Sequence, residues 1–499
     1  MTSEVLLSFL VLLNENSLSL IKFRLMTLRY VNSTHKHSTS NPGFLNIARV
    51  LLRLAGPLIL GQVAVVGMTV TDIYMAGQVN ADTLAALQLG GSMWSMINLV
   101  IIGIMIANSP IIGNHWGAQQ IDKVRAQFQQ ILWLALPIGL LAVGAVFFGI
   151  QMLSHLDISE NVYQIAKGYL SPFLITGFMF PAFFAFRTTF EGMGDTRPVL
   201  VFNSAAFLLN AFLDYGLVFG KFGFPQMGGV GAAWATVIVM AFLLSCMATY
   251  GQRSKTTKGL KLYHDFSGPN IKQLKETLRL GIPISLNIAA EFSFFAIIPF
   301  MIAHLGAAVV GAHAIAINID SLAFMVPLGI AQALTIKVSH AIGRGNPSEA
   351  RVFCLAGFKL VLILGLTMST LKILFRHDIA AIFSTDTEIQ LLAANLFFFA
   401  AALGAVDCLQ MSCSGALRGY KDARIPLVIQ ITAFWIIAFP IAYSIALTNY
   451  WGDPLGIYGF WIGTVIAASI AATSLLIRWN KVSRRAIHNL IEDHSNNPS

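Results

Sequence analysis

Apolar stretches long enough to cross a bilayer recur along almost the whole of this 499-residue chain, among them 131–151, 232–250, 352–375 and 457–477. A helix needs about 20 such residues to span the ~30 Å hydrocarbon layer, where each backbone polar group must find a partner within the protein. Everything but the loops is therefore expected to be helix, and the fold class to be an all-α polytopic membrane protein. Composition agrees, with 56% hydrophobic and only 11% charged residues. Soluble domains carry roughly 25% charge, so too little is available here to cover a water-facing surface. The 41 glycines and 17 prolines suit membrane helices, whose neighbours can satisfy freed backbone groups.

A net charge of +9 could suggest nucleic acid, but the basic residues sit mainly in short loops between apolar runs. Lys123 and Arg125 follow the second span, and Arg187 and Arg197 flank the fourth and fifth. Arg253, Lys255, Lys258, Lys261, Lys272, Lys275 and Arg279 fill a central linker; Arg344 and Arg351 follow the eighth span, Arg418, Lys421 and Arg424 the tenth, and 478–485 is basic after the last. The alternate loops 77–83, 154–161 and 303–308 hold no Lys or Arg. This is the positive-inside pattern. It is met by about twelve spans with both termini in the cytoplasm. Cys246, Cys354, Cys408 and Cys413 lie in or beside apolar runs without a CxxC spacing, and read as small buried hydrophobes. Residues 1–45 read as a disordered or mis-started extension. The run Val5–Leu13 is too short to span and lacks a basic flank for a signal peptide, and Met26 could be the true start.

The chain is also repeated within itself. RLAGP ends at Pro57 and RLGIP at Pro283, an offset of 283 − 57 = 226; Met75 meets Met301, and Gly117 and Arg125 meet Gly343 and Arg351, at the same offset. Glu191–Arg197 then meets Arg418–Arg424, and Trp234 meets Trp461, at 227. Two six-helix copies follow, 46–250 and 272–481, joined by a basic linker at 251–271 and trailed by a tail at 482–499. Six spans per copy give both copies the same orientation, related by a pseudo-two-fold axis along the membrane normal. Transporters built this way hold substrate between the halves.

Ionisable groups in hydrocarbon are costly, so their default reading is functional. Asp72 lies in the first span, Asn210 and Asp214 four apart on one face of the fifth, Glu291 in the seventh with Asn287 a turn before it, and Asp407 in the tenth. Asn318 adds a lower-ranked polar lining in the eighth. So do His313 and Asp320 of that span, with Asp320 a candidate local partner for His313. A carboxyl group in a low-dielectric cavity can exchange protons near neutrality; an ionised carboxylate can instead hold Na⁺, with Glu291 and Asp407 the candidate ligands, or a cationic drug. Asp72, Asp214, Glu291 and Asp407 have no basic residue in their own spans to neutralise them. The repeat does not pair them: the offset places Ile298 opposite Asp72, Ile441 opposite Asp214 and Val65 opposite Glu291. Among 36 Phe and 17 Met, some would line a cavity for flat hydrophobic cations.

These segments resemble a known family. LAGPLILGQVAVVGMTVTDIYMAG, GGVGAAWAT, GIPISLNIAAEFSFFA and ALRGYKDARIP are similar to the multidrug and toxic compound extrusion (MATE) family, nearest its NorM-type bacterial members, from about Leu51 to Trp479. The resemblance implies twelve helices in two bundles opening alternately to either side, and drug efflux driven by H⁺ or Na⁺ without a cofactor. It places the family's acids of the first, seventh and tenth helices on Asp72, Glu291 and Asp407. Many NorM-type proteins carry Asn-xxx-Asn in the fifth helix. Asn210-xxx-Asp214 is instead similar to members whose N-terminal half has been proposed as a proton site. Asp320 departs from the small polar residue usual there.

The expected function is a monomeric antiporter, not an enzyme, that expels small organic compounds, cationic and amphipathic in character. The alternative is a lipid-linked precursor flippase of a related fold. That reading favours a basic cavity for pyrophosphate, and no basic residue stands deep in any span. An intramembrane enzyme would need a nucleophile–base or metal constellation, and His313 has no second His or Cys at ligand spacing; a passive channel is the remaining reading.

Overall fold

The computed structural model describes residues 43–155, 157–254, 257 and 260–496. The expectations for Val5–Leu13 and Met26, and the linker's Lys255 and Lys258, lie outside the described residues. Two units are distinguished: Met1–Asn46, described only from residue 43, and Ile47–Ser499, which carries everything below except the first three residues of the first helix.

Among the described residues, twelve helices are long and apolar enough to cross a membrane. They are α1 (Phe44–Gly77), α2 (Ala81–Gly117), α3 (Ile121–Leu153), α4 (Glu160–Gly192), α5 (Arg197–Phe219), α6 (Gly229–Arg253), α7 (Ile271–Leu305), α8 (Ala307–Gly343), α9 (Pro347–Leu374), α10 (Thr387–Gly419), α11 (Arg424–Leu447) and α12 (Ile457–Glu492). Local chemistry sets their starts. Asn80 accepts from Thr83 N at 2.7 Å, Asn346 from Glu349 N at 3.1 Å and Asp386 from Glu388 N at 2.9 Å, each satisfying a donor left free in a first turn. The duplication reappears in the helix ends. α2 and α8 stop at Gly117 and Gly343, 226 apart, and α4 and α10 stop at Gly192 and Gly419, 227 apart.

Each set of six helices buries its own aromatics. Phe128, Phe183, Phe186 and Phe190 centre one apolar cluster, and Trp94, Tyr169 and Phe173 another, in α1–α6. Phe294, Phe397, Phe434 and Phe460 centre a third, drawn from α7–α12. The sets meet where α2 crosses α7 and α8, at the helix ends that bear the linker. A side chain at Gly117 or Gly343 would overlap the facing backbone, of His340 and Asn114 respectively. Such small residues let membrane helices approach closely. His340 Nε2 hydrogen-bonds to Gly192 O at 2.7 Å. Gln127 donates to Asn108 Oδ1 at 3.2 Å and to Thr277 Oγ1 at 3.1 Å, and Asn108 donates to Thr188 and Thr189. The closure is thus both steric and polar.

Candidate functional site

In α1–α6 the polar residues converge on a pair of acids. Helical periodicity puts Asn203, Asn210 and Asp214 on one side of α5, facing α1. Asn203 donates to Gly61 O at 3.2 Å, and Asn210 donates to Asp72 Oδ1 at 3.1 Å. Asp72 and Asp214 lie within hydrogen-bonding reach of each other. Asp214 is fully buried, and besides Asp72 the group in hydrogen-bonding reach of it is the Asn210 amide. Tyr169 of α4 is buried within Coulombic range of both acids. Two carboxyl groups in this contact repel if both are ionised. A single proton between them turns repulsion into a hydrogen bond.

In α7–α12 the acids have other partners. Gln410 of α10 donates to Glu291 Oε1 at 2.9 Å. Next to Glu291, Ala290 O accepts from Trp435 Nε1 at 2.9 Å. Trp435 stands in a π-helical segment of α11, Thr432–Ala438, the kind of irregularity that concentrates at functional sites. Asp407 lies within Coulombic range of Glu291, Asp320 and Lys372. Asp407, Asp320 and Lys372 line one cavity with Ser369, Gly404 and Cys408.

Four expectations need correction. Asp320 does not pair with His313: its Oδ1 holds the Lys372 ammonium of α9 in a buried ion pair. His313 instead lies edge-on to Trp461, with ring centroids 5.9 Å apart, and its Nδ1 has no partner among the described residues. Lys372 is also a basic residue buried within a span, which the sequence reading denied. Arg187 and Arg418, placed in loops from sequence, are buried at the ends of α4 and α10. Arg187 Nε donates to Glu191 at 2.7 Å, while Arg418 lies within Coulombic range of Glu291. Burial inside the helix packing, not loop position, decides the surroundings of all three.

The remaining residues are less connected. Asn318 is exposed and donates to Ala314 O of its own helix, and the Asn287 amide nitrogen lacks a partner among the described residues. Among the described residues no group of three or more His, Cys, Asp or Glu is placed to hold a metal ion. Sequence reasoning missed Asn203, Tyr169, Gln410 and Lys372. Asn203 had a signal, because 203, 210 and 214 follow the spacing of one helix face, and so had Lys372, a charge inside the apolar run 352–375; the other two had none within their own segments.

A family model described as MatE matches residues 57–216 and 283–444. The chain is 34% identical over 440 residues to the multidrug resistance protein PmpM of Pseudomonas aeruginosa, covering 88% of this chain and 92% of that protein. It is 33% identical over 433 residues to the multidrug resistance protein NorM of Photobacterium profundum, covering 86% and 94%. The fold matches the solved eukaryotic MATE transporter AtDTX14 with a TM-score of 0.79 at 19% identity, over 90% of this chain and all of that one. It also matches an outward-facing multidrug resistance MATE family transporter with a TM-score of 0.79 at 21% identity, over 91% of this chain.

Proposed function

The chain belongs to the MATE family of membrane transporters, and on that premise we propose that it exports small organic cations in exchange for protons held by Asp72 and Asp214. The observation that carries this reading is the contact between those two carboxyl groups, with the Asn210 amide in reach of both and no basic side chain beside them among the described residues. A proton is the one cation that such a contact accommodates without further ligands. Losing it leaves two like charges in contact inside a helix bundle, and α1 must then move relative to α5. That motion would couple ion release to reorientation, because the ion binds one conformation more tightly than the other.

The halves 46–250 and 272–481 act as the two moving bodies, and the α2–α7–α8 crossing is the gate that closes the linker side. The basic loops put that side in the cytoplasm, with both termini there and the protein in the cell membrane of a bacterium, as its bacterial relatives suggest. Glu291, Gln410 and Asp407 serve the drug on the other half. A flippase would need a free basic side chain to hold pyrophosphate. Lys372 is buried within a span but is held by Asp320, and Arg418, whose Nε and Nη2 have no hydrogen-bond partner among the described residues, sits at the end of α10 within Coulombic range of Glu291.

The test is export of ethidium or a fluoroquinolone by the purified full-length chain in proteoliposomes, with ΔpH and ΔpNa imposed separately. Wild-type protein should answer to ΔpH, and Asp72→Asn and Asp214→Asn should abolish that response. Full activity in both variants, and in Glu291→Gln and Asp407→Asn, would overturn the mechanism.

A further inference from the structure

Lys372 lies two residues before the end of α9, yet its side chain is only 7% exposed. Its ammonium is ion-paired to Asp320 of α8 and stands 3.5 Å from Ala400 O of α10. Nearby, Ser369 Oγ donates to Ala401 O at 2.6 Å. Position 404 beside it is glycine: a Cβ there would stand 3.2 Å from Nζ and 3.8 Å from Asp320 Oδ1, a tight but not excluded fit. Asp407, one turn further along α10, opens onto the same cavity.

The surrounding donors are two carboxylates, a hydroxyl and a backbone carbonyl. These hard oxygens suit a small metal cation such as Na⁺. A cation already stands among them, fixed to the chain by its own side chain. We propose that Lys372 is a resident cation that denies Na⁺ the carboxylates of the C-terminal half, so that this residue determines the ion specificity of the transporter. Asp320 is neutralised by the ammonium, and any metal ion approaching Asp407 meets a positive charge across the same cavity. Unlike a bound ion, the lysine cannot dissociate, so Asp320 cannot load and unload during a cycle. The inference rests on the reading that Asp407 faces the transport path.

The experiment is ²²Na⁺ binding to the purified full-length protein, which needs no transport and is therefore separate from ΔpH-driven export. Wild type and Lys372→Arg should stay at background. Lys372→Met should rise to a saturable signal, which Asp320→Asn in the same chain should remove. Saturable Na⁺ binding by wild type that Asp407→Asn abolishes would overturn the proposal, as would a folded Lys372→Met protein that binds no more than wild type. The wild-type arm decides even if Lys372→Met cannot be purified. Loss of ΔpH-driven export in wild type would instead count against the proposed function, leaving the binding result to stand by itself.

Discussion

The two halves use the same helices to different ends, and the difference shows when equivalent positions are compared. In the C-terminal half Asp320, Lys372 and Asp407 share one cavity. Shifted back by the repeat, 320 − 226, 372 − 226 and 407 − 227 give Trp94, Val146 and Phe180. There Trp94 meets Phe180 edge to face at 6.0 Å, and Val146 is buried in the same apolar cluster as Trp94. The reverse holds as well. Asp72, Asn210 and Asp214 map forward to Ile298, Ile437 and Ile441, and Ile298 belongs to the buried core around Phe294. Each half therefore packs apolar side chains where the other keeps its charges. Duplication preserved the helix geometry, and the chemistry was distributed separately onto it.

Among the described residues no cation stands beside the N-terminal acids, which must share a proton or separate. The C-terminal acids are already served by an amide and an ammonium. Asp72→Asn and Asp214→Asn should therefore have the largest effect, reducing ΔpH-driven efflux to the level of protein-free liposomes. If Asp407→Asn did so while Asp214→Asn exported normally, the contrast would be reversed. Next comes the ion pair. Removing one partner, as in Asp320→Ala or Lys372→Ala, leaves a buried charge and should cost about 3–5 kcal/mol. Replacing both, as in Asp320→Leu with Lys372→Met, should recover most of that loss in detergent-phase unfolding. Equal destabilisation by single and double variants would mean that the pair does not act as a unit.

A smaller effect is expected from Gln410→Leu. It deprives Glu291 of its donor and should cost about 1–3 kcal/mol, seen as a lower unfolding midpoint and weakened drug binding with the response to ΔpH retained. The smallest is expected from His313→Asn, because the ring makes an edge contact to Trp461 and no hydrogen bond through Nδ1. Efflux should be indistinguishable from wild type, and a lost ΔpH response would restore His313 as a proton carrier.

Sequence alone revealed the twelve spans and the repeat, because hydropathy and helix ends are properties of contiguous residues. It also exposed Asp72, Asp214, Glu291 and Asp407, since a charge inside an apolar run stands out without knowledge of its neighbours. Lys372 escaped notice because a lysine near the end of a span reads as interfacial; only the approach of α8 and α10 buries it. For the same reason the sequence offers Asp320 only a candidate partner on its own helix, His313, whereas the fold pairs it with a residue 52 positions away. Which acid stands bare and which is already paired depends on contacts between helices. Such contacts leave no trace in the periodicity of either helix, and so the tertiary structure alone decided how these charges are divided.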